Sequence, residues 1–335
     1  MPRAVLVGGT GMIGRAAARR LAQDGWEVVA VSRTGTLPDG LAELGVESVV
    51  ADRDDDEQLR AALGSGADVV LDTVAFTREH GEQLNRLDGL AGSLVVISSA
   101  SVYADDEGRA LDGEGGEFPQ FPVPVPETQR TAEPGDSTYS TRKAGLEEAL
   151  LEGPLPATLV RACAIHGPGA KLPRELHFIQ RALDGRRRVA LASMGESRFH
   201  TTSVENLAEL IRLAAAQPGN RALNSGDPDA PTTLEICSAI GDALDHQFEP
   251  VLFPENAGER PGIDNPWAVP RPFVVSMAAA EEELGYRPVT TYPEAVRETA
   301  AWVAAEIEGG RSWEGTYLAD MLDYAAEDDA LASRP

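Results

Sequence analysis

Tyr139 and Lys143 stand four residues apart in Tyr139-Ser140-Thr141-Arg142-Lys143. On a helix that spacing puts both side chains on one face. A phenol ordinarily ionises near about 10, too high for acid–base work at neutral pH, and a neighbouring ammonium favours the phenolate. The pair is therefore a candidate proton exchanger. Upstream, Ile97-Ser98-Ser99-Ala100-Ser101 ends an apolar run, and Ser99 could hold and polarise an oxygen presented to Tyr139.

A second constellation is Gly8-Gly9-Thr10-Gly11-Met12-Ile13-Gly14, which follows the apolar run Ala4–Val7 and opens a helical stretch. It reads G-x-G-x-x-G from Gly9 and G-x-x-G-x-x-G from Gly8. Glycines there let the backbone turn sharply and approach a pyrophosphate, and the free N–H groups of the helix start favour its charge. A dinucleotide is the expected ligand. An NAD site normally carries Asp or Glu about 20 residues further on, but the second strand ends Ala30-Val31-Ser32-Arg33-Thr34. Arg33, helped by Arg15, suits a 2′-phosphate instead, so NADP(H) is preferred and NAD(H) is the alternative. Asp52 falls where a carboxylate could accept the adenine amino group. An oxidised nicotinamide would also favour the Tyr139 phenolate, and Lys143 can hold the nicotinamide ribose.

Short β-type runs must position these groups. Ala4–Val7, Glu27–Val31, Val46–Val50, Ala67–Leu71 and Ser93–Ile97 alternate with helical stretches at Met12–Gln23, Asp55–Leu63 and Glu79–Leu90. Near-continuous apolar strands between helices predict an α/β fold with a Rossmann-type, doubly wound parallel sheet. Residues 104–136, rich in Asp, Glu, Gly and Pro, form a long loop. Beyond it the pattern gives helices over Tyr139–Leu151, Glu175–Leu183, Val204–Ala216, Thr232–Leu244, Met277–Leu284 and Pro293–Ile307. Strands are expected at Ala157–Arg161, Ala222–Asn224 and His246–Phe253. The last residues either pack as a helix or fray.

The net charge of −25 over 335 residues repels phosphate backbones and argues against broad nucleic-acid binding. Cys163 and Cys237 have no metal or disulfide spacing and read as buried thiols. No metal site is expected. No stretch reaches the roughly 18 apolar residues of a membrane span. The start, MPRAVLVGG, lacks the pattern of a signal peptide. Cytoplasm is the expected compartment.

Glycine turn, Ser-Ser-Ala-Ser-Val-Tyr and Tyr-x-x-x-Lys, in that order, resemble the extended short-chain dehydrogenase/reductase superfamily, with its NAD-dependent epimerases and dehydratases, over roughly residues 3–305. Further matches are Asp68–Ala75, Pro126-Glu127, Val160-Arg161 with Gly167-Pro168-Gly169, Val204–Ala208, Leu223–Gly226 and Glu283–Pro288. The resemblance implies Ser99, Tyr139 and Lys143 as the catalytic set. The cofactor surface is expected to comprise Gly8, Thr10, Gly11, Met12, Ile13, Gly14, Ser32, Arg33, Asp52, Arg53, Thr73, Val74, Ala75, Ser98, Tyr139, Lys143 and Ala162. Thr77, Ser101, His166 and His200 are the candidates for contacting substrate.

The resemblance also implies a smaller C-terminal substrate-binding lobe. The dinucleotide domain is expected to span 1–163 and 198–226, the lobe 164–197 and 227–305, and an acidic tail 306–335. Two departures stand out. Ala164 lies where sugar-nucleotide epimerases typically have Asn. Asp72–Phe76 lacks the His that often ends that strand, and with Asp52-Arg53-Asp54 it looks closer to an atypical branch that includes plant chloroplast RNA-associated relatives.

The main expectation is an NADP(H)-dependent oxidoreductase acting on a carbonyl or secondary alcohol of a small molecule. One alternative is an epimerase or dehydratase of nucleotide sugars or other sugars with retained NAD⁺. The other is a non-catalytic dinucleotide-sensing or RNA-associated protein. A homodimer is compatible with the resemblance.

Overall fold

In a computed structural model, which describes residues 1–38, 40–113 and 117–334, the chain begins β1 (Arg3–Val7), α1 (Met12–Gln23), β2 (Glu27–Ser32), β3 (Glu47–Val50), α2 (Asp56–Leu63), β4 (Val69–Asp72), α3 (Arg78–Asn85) and β5 (Leu94–Ser99). After the long loop come α4 (Tyr139–Leu151), β6 (Ala157–Ala162), β7 (Ala164–His166), α5 (Leu176–Leu183), β8 (Arg188–Leu191), β9 (Thr201–Ser203), α6 (Val204–Ala216) and β10 (Arg221–Ser225). The remainder is α7 (Thr233–Ala243), β11 (Glu249–Leu252), α8 (Ala278–Leu284), α9 (Tyr292–Glu308), α10 (Tyr317–Asp320) and α11 (Tyr324–Ala332). No helix is long and apolar enough to cross a membrane among the described residues.

Two compact units result. The first comprises Met1–Cys163, Val204–Ser225 and Val275–Val289. Its sheet is seven-stranded and parallel, in the order β10-β6-β5-β4-β1-β2-β3. Val5, Val29, Val70, Val96 and Leu159 point from successive strands into one apolar layer, which Leu59, Leu63, Leu84, Leu146 and Leu150 of the flanking helices cover. Such burial is the dominant favourable term in folding. Residues 275–289, expected in the substrate lobe, instead pack on this unit: Asn224 Nδ2 donates to Ser276 O, and Asn206 Oδ1 accepts Val289 N.

Helix α4 is fixed to the sheet by a buried ion pair. Arg161 of β6 donates to Glu147 through Nη2 at 2.6 Å and Nε at 3.0 Å, and Ser98 Oγ of β5 donates to the same carboxylate at 2.6 Å. On its other side α4 meets α3 at Gly81, where a Cβ would lie 2.9 Å from Ala149 Cβ. The loop 104–136 is organised around Asp105, whose carboxylate accepts N–H groups of Glu107, Arg109 and Gln120 and the Arg109 guanidinium. Burial alone would raise this carboxyl, but those donors hold it at about 2.

The second unit comprises Ala164–Ser203, Gly226–Val274 and Thr290–Pro335. It contains two small parallel pairs, β7 with β9 and β8 with β11. Phe178, Trp267, Ile240 and Val303 lie in its apolar core. The acidic C-terminal segment packs here rather than fraying: Glu327 of α11 is fully buried and pairs with Arg181 of α5. Cys237 is buried, whereas Cys163, in the first unit, is partly exposed, and neither forms a disulfide.

Removing one partner of a buried ion pair strands a charge in the interior. Arg161→Met is therefore expected to lower the unfolding free energy by about 3–5 kcal/mol, read as a fall in the urea midpoint. An unchanged midpoint would show that Glu147 does not depend on Arg161.

Candidate active site

The glycine turn leaves β1 and enters α1 without room for side chains. Gly8 has a φ of +78°, where glycine is favoured. Its N–H reaches Val31 O at 3.0 Å, and Gly11 N–H closes onto Gly8 O at 3.0 Å. A Cβ on Gly14 would lie 2.2 Å from Gly8 O, and one on Gly8 would lie 2.4 Å from Thr73 Oγ1. Gly11 is the N-cap of α1 and provides no side-chain cap. These residues fit a pyrophosphate, which meets bare N–H groups at the positive end of a helix. Met12, partly buried, packs its side chain against Ala16, Val204 and Ala208. Thr10 and Ile13 are partly exposed at the same turn.

At the end of β2, Ser32 Oγ accepts Gly35 N–H at 3.0 Å. Arg33 is exposed and makes no ion pair among the described residues. Asp52 is exposed, its Oδ1 accepting Asp54 N–H at 3.1 Å, while the N-cap of α2 is Asp55. Arg53 corrects the sequence reading. It is buried, and its Nη2 donates to Asp72 Oδ2 at 2.9 Å, a structural pairing rather than a free cofactor contact. Ser98 is a second correction, since its buried hydroxyl is committed to Glu147.

After β4, Thr73 Oγ1 donates to Val7 O at 3.1 Å, Val74 is exposed, and Ala75 is buried. Asp72 Oδ1 accepts the N–H groups of both Val74 and Ala75 at 2.7 Å. Lys143 Nζ donates to Ala75 O at 2.7 Å and to Ile97 O at 2.9 Å. Burial lowers this amine to about 8, with Asp72 and Glu147 opposing the fall and Arg53 adding to it.

Tyr139 opens α4, 46% exposed, with its ring 5.2 Å from that of Phe76. Loss of solvent raises its phenol above the ordinary value, a hydrogen bond with Ser99 pulls it down, and the Asp112 carboxylate pushes it up. Lys143, one turn along the same helix, spends two hydrogen bonds on the strand ends, Ala75 O and Ile97 O. Ser99 also caps the following 3₁₀ turn through Ser101 N–H at 3.2 Å. Asp112 Oδ2 accepts Ser140 N–H at 3.0 Å, which brings the acidic loop onto the first turn of α4.

Of the substrate candidates, Ser101 lies beside Ser99, and its buried Oγ has no partner among the described residues. Thr77 is the N-cap of α3 in a capping box with His80, a structural role. Both histidines are corrections too, because each is buried and bonded to Asp227 within the second unit. His166 Nε2 is 3.2 Å from Asp227 Oδ2, its Nδ1 is 3.2 Å from Thr299 Oγ1, and it is 1% exposed. His200 is buried with Nε2 on Asp227 O at 2.9 Å. Ala162, at the end of β6, is buried against Ser225 of β10. Sequence reading missed Phe76, Asp72, Glu147 and Asp112. Glu147 was within reach, since it repeats the four-residue spacing beyond Lys143.

The family model described as "NAD dependent epimerase/dehydratase family" matches residues 4–226. The uncharacterized protein YbjS of Escherichia coli (strain K12) is 25% identical over 347 residues, covering 90% of this chain and 97% of that protein. Among solved structures, UDP-glucose 4-epimerase of Thermotoga maritima, with UDP-glucose, is similar at a TM-score of 0.68 and 17% identity, over 91% of this chain and 99% of that one. WbmG of Bordetella bronchiseptica, in complex with NAD and UDP, has a TM-score of 0.68 at 15% identity, over 90% and 95%.

Burial alone would lower His166, but Asp227 outweighs it and holds the imidazole above its ordinary value. A raised folded-state pKa contributes stability that is complete below the unfolded value, about 6.5, and is lost as pH rises through the folded value. The stability difference between wild type and His166→Gln should therefore be larger at about pH 6 than at about pH 9. Urea unfolding at the two pH values measures it, and a constant difference would mean a neutral ring throughout.

Proposed function

The chain belongs to the NAD dependent epimerase/dehydratase family, and from that premise we propose that it acts on a secondary-alcohol carbon of a small, sugar-like substrate. The observation that carries this reading is Lys143, buried on the carbonyls of Ala75 and Ile97 one turn beyond Tyr139 on α4, with Ser99 close enough to the phenol to pull its ionisation down. The nicotinamide, when bound, supplies the hydride acceptor and donor. The N–H groups of Met12, Ile13 and Gly14 in the first turn of α1 would hold the pyrophosphate, with Gly8 and Gly11 shaping the turn, and Lys143 would hold the nearby ribose. Ser99 holds the substrate oxygen. Tyr139 exchanges the proton at that oxygen through its phenol, and Phe76 orients the ring. Family membership favours an epimerase or dehydratase that retains its dinucleotide. The presence of Ser99, Tyr139 and Lys143 together favours chemistry over dinucleotide sensing alone, and the net charge of −25 weighs against an RNA partner.

Arg33 favours a second reading, an NADP(H)-dependent reductase. With no acid at the end of β2, its exposed guanidinium suits a 2′-phosphate.

Analysis of the dinucleotide released from natively purified protein separates the two. Retained NAD⁺ supports the epimerase or dehydratase. An exchangeable site preferring NADPH supports the reductase, and Arg33→Ala should then weaken NADP⁺ about tenfold or more while sparing NAD⁺. Equal loss of both would remove the 2′-phosphate role. Tyr139→Phe should cut turnover by about 10²-fold or more with dinucleotide binding kept; retained turnover would refute the role of Tyr139.

A further inference from the structure

Of the 29 lysines and arginines in the chain, only Lys143 and Lys171 are lysines. Lys143 is thus a rare choice in this sequence, and it occupies a position that is 6% exposed. An arginine there would stay charged under all conditions, whereas a buried lysine responds to its surroundings.

Those surroundings are unusual for the end of a parallel strand. Asp72 is fully buried, which is costly unless its charge is satisfied. Strand β4 needs no such residue to stay in the sheet, because β1 and β5 pair with it on either side. Asp72 does something local instead. Its Oδ1 clamps the N–H groups of Val74 and Ala75, and the carbonyl of that same Ala75 receives the lysine. Its Oδ2 is held by Arg53.

We propose that the Arg53–Asp72 pair is a positioning device for Lys143, fixing both the carbonyl cradle in which the amine sits and the balance of charge around it. Asp72 stabilises the ammonium, and Arg53 opposes it. Glu147, one turn along α4, also stabilises it, but Arg161 of β6 shares that carboxylate. The Phe76 ring lies 5.8 Å from Nζ, and Tyr139 stands on the preceding turn. Behind Arg53, Asp54 is 3.4 Å from Nη1 and His80 is 3.3 Å from Asp54. The pair lets the amine sit near the neutral range while its position stays fixed. The proposal rests on the proposed function only in taking Lys143 as the ribose-holding amine beside Tyr139.

The two-lysine composition makes the test direct. The full-length protein is labelled with ε-¹³C-lysine and titrated by NMR, and Lys171→Arg assigns the two signals. Lys143 in the wild type should titrate near about 8. Asp72→Asn should lower that midpoint by about one pH unit or more, and Arg53→Gln should raise it by a comparable shift. Circular dichroism checks that each variant is folded. Movement in opposite directions supports the proposal. Unchanged midpoints, or movement of both in one direction as general loosening would give, overturn it. If Asp72→Asn does not fold, Arg53→Gln alone decides, a rise supporting the pair and no rise refuting it. No turnover is needed, so loss of the proposed activity and loss of this charge coupling are told apart.

Discussion

An ammonium held between two backbone carbonyls, Ala75 O and Ile97 O, constrains everything near it. Those oxygens belong to neighbouring chain segments at the carboxyl ends of β4 and β5, so the sheet must bring the two ends level. The register does so, pairing Val70 with Leu94 and Asp72 with Val96. Helix α4 must then lie close enough for a lysine to reach in. The buried Glu147 carboxylate, shared by Arg161 and Ser98, holds it there, and Gly81 clears the opposite side for α3. Once Lys143 is seated, Tyr139 is carried one turn earlier on the same helix to Ser99. Its position follows from the sheet rather than from any contact with the lysine.

Much of this was legible in the sequence, where local pattern decides the outcome. Helices at Met12–Gln23, Tyr139–Leu151 and Val204–Ala216 have the bounds that their periodicity implies. The glycine turn and the seven-residue stretch around Ser99 lie where their flanking apolar runs put them. The predicted helix over Glu79–Leu90 stops at Asn85, and the chain then turns, Gly89 taking a φ of +81°, with Leu87 buried and Leu90 partly buried against the core. The short strands β7, β8 and β9 are absent from the sequence reading, since runs of three or four residues carry little periodicity.

Charge was the least legible property. Arg53, Ser98, His166 and His200 have the residue types of ligand contacts, yet each is consumed by a buried partner distant in sequence. A side chain's type reports what it can bond, not which partner folding will bring. His166 meets Asp227 across 61 residues, and Arg53 meets Asp72 across 19. The same blindness hid Asp112, one acid among many in the long loop.

That loop has firm ends and a local hub. Tyr103 pairs with Thr131, Ala132 N–H closes onto Val102 O at 2.7 Å, and Asp105 gathers the strands of the turn between them. Its anchorage is thus separate from the segment in between, which reaches the first turn of α4 through Asp112 and the Ser140 N–H. The chain here is a cassette with fixed sockets. A change at Asp112 would alter the contact with the first turn of α4, while the strand ends that seat Lys143 are held by the sheet itself.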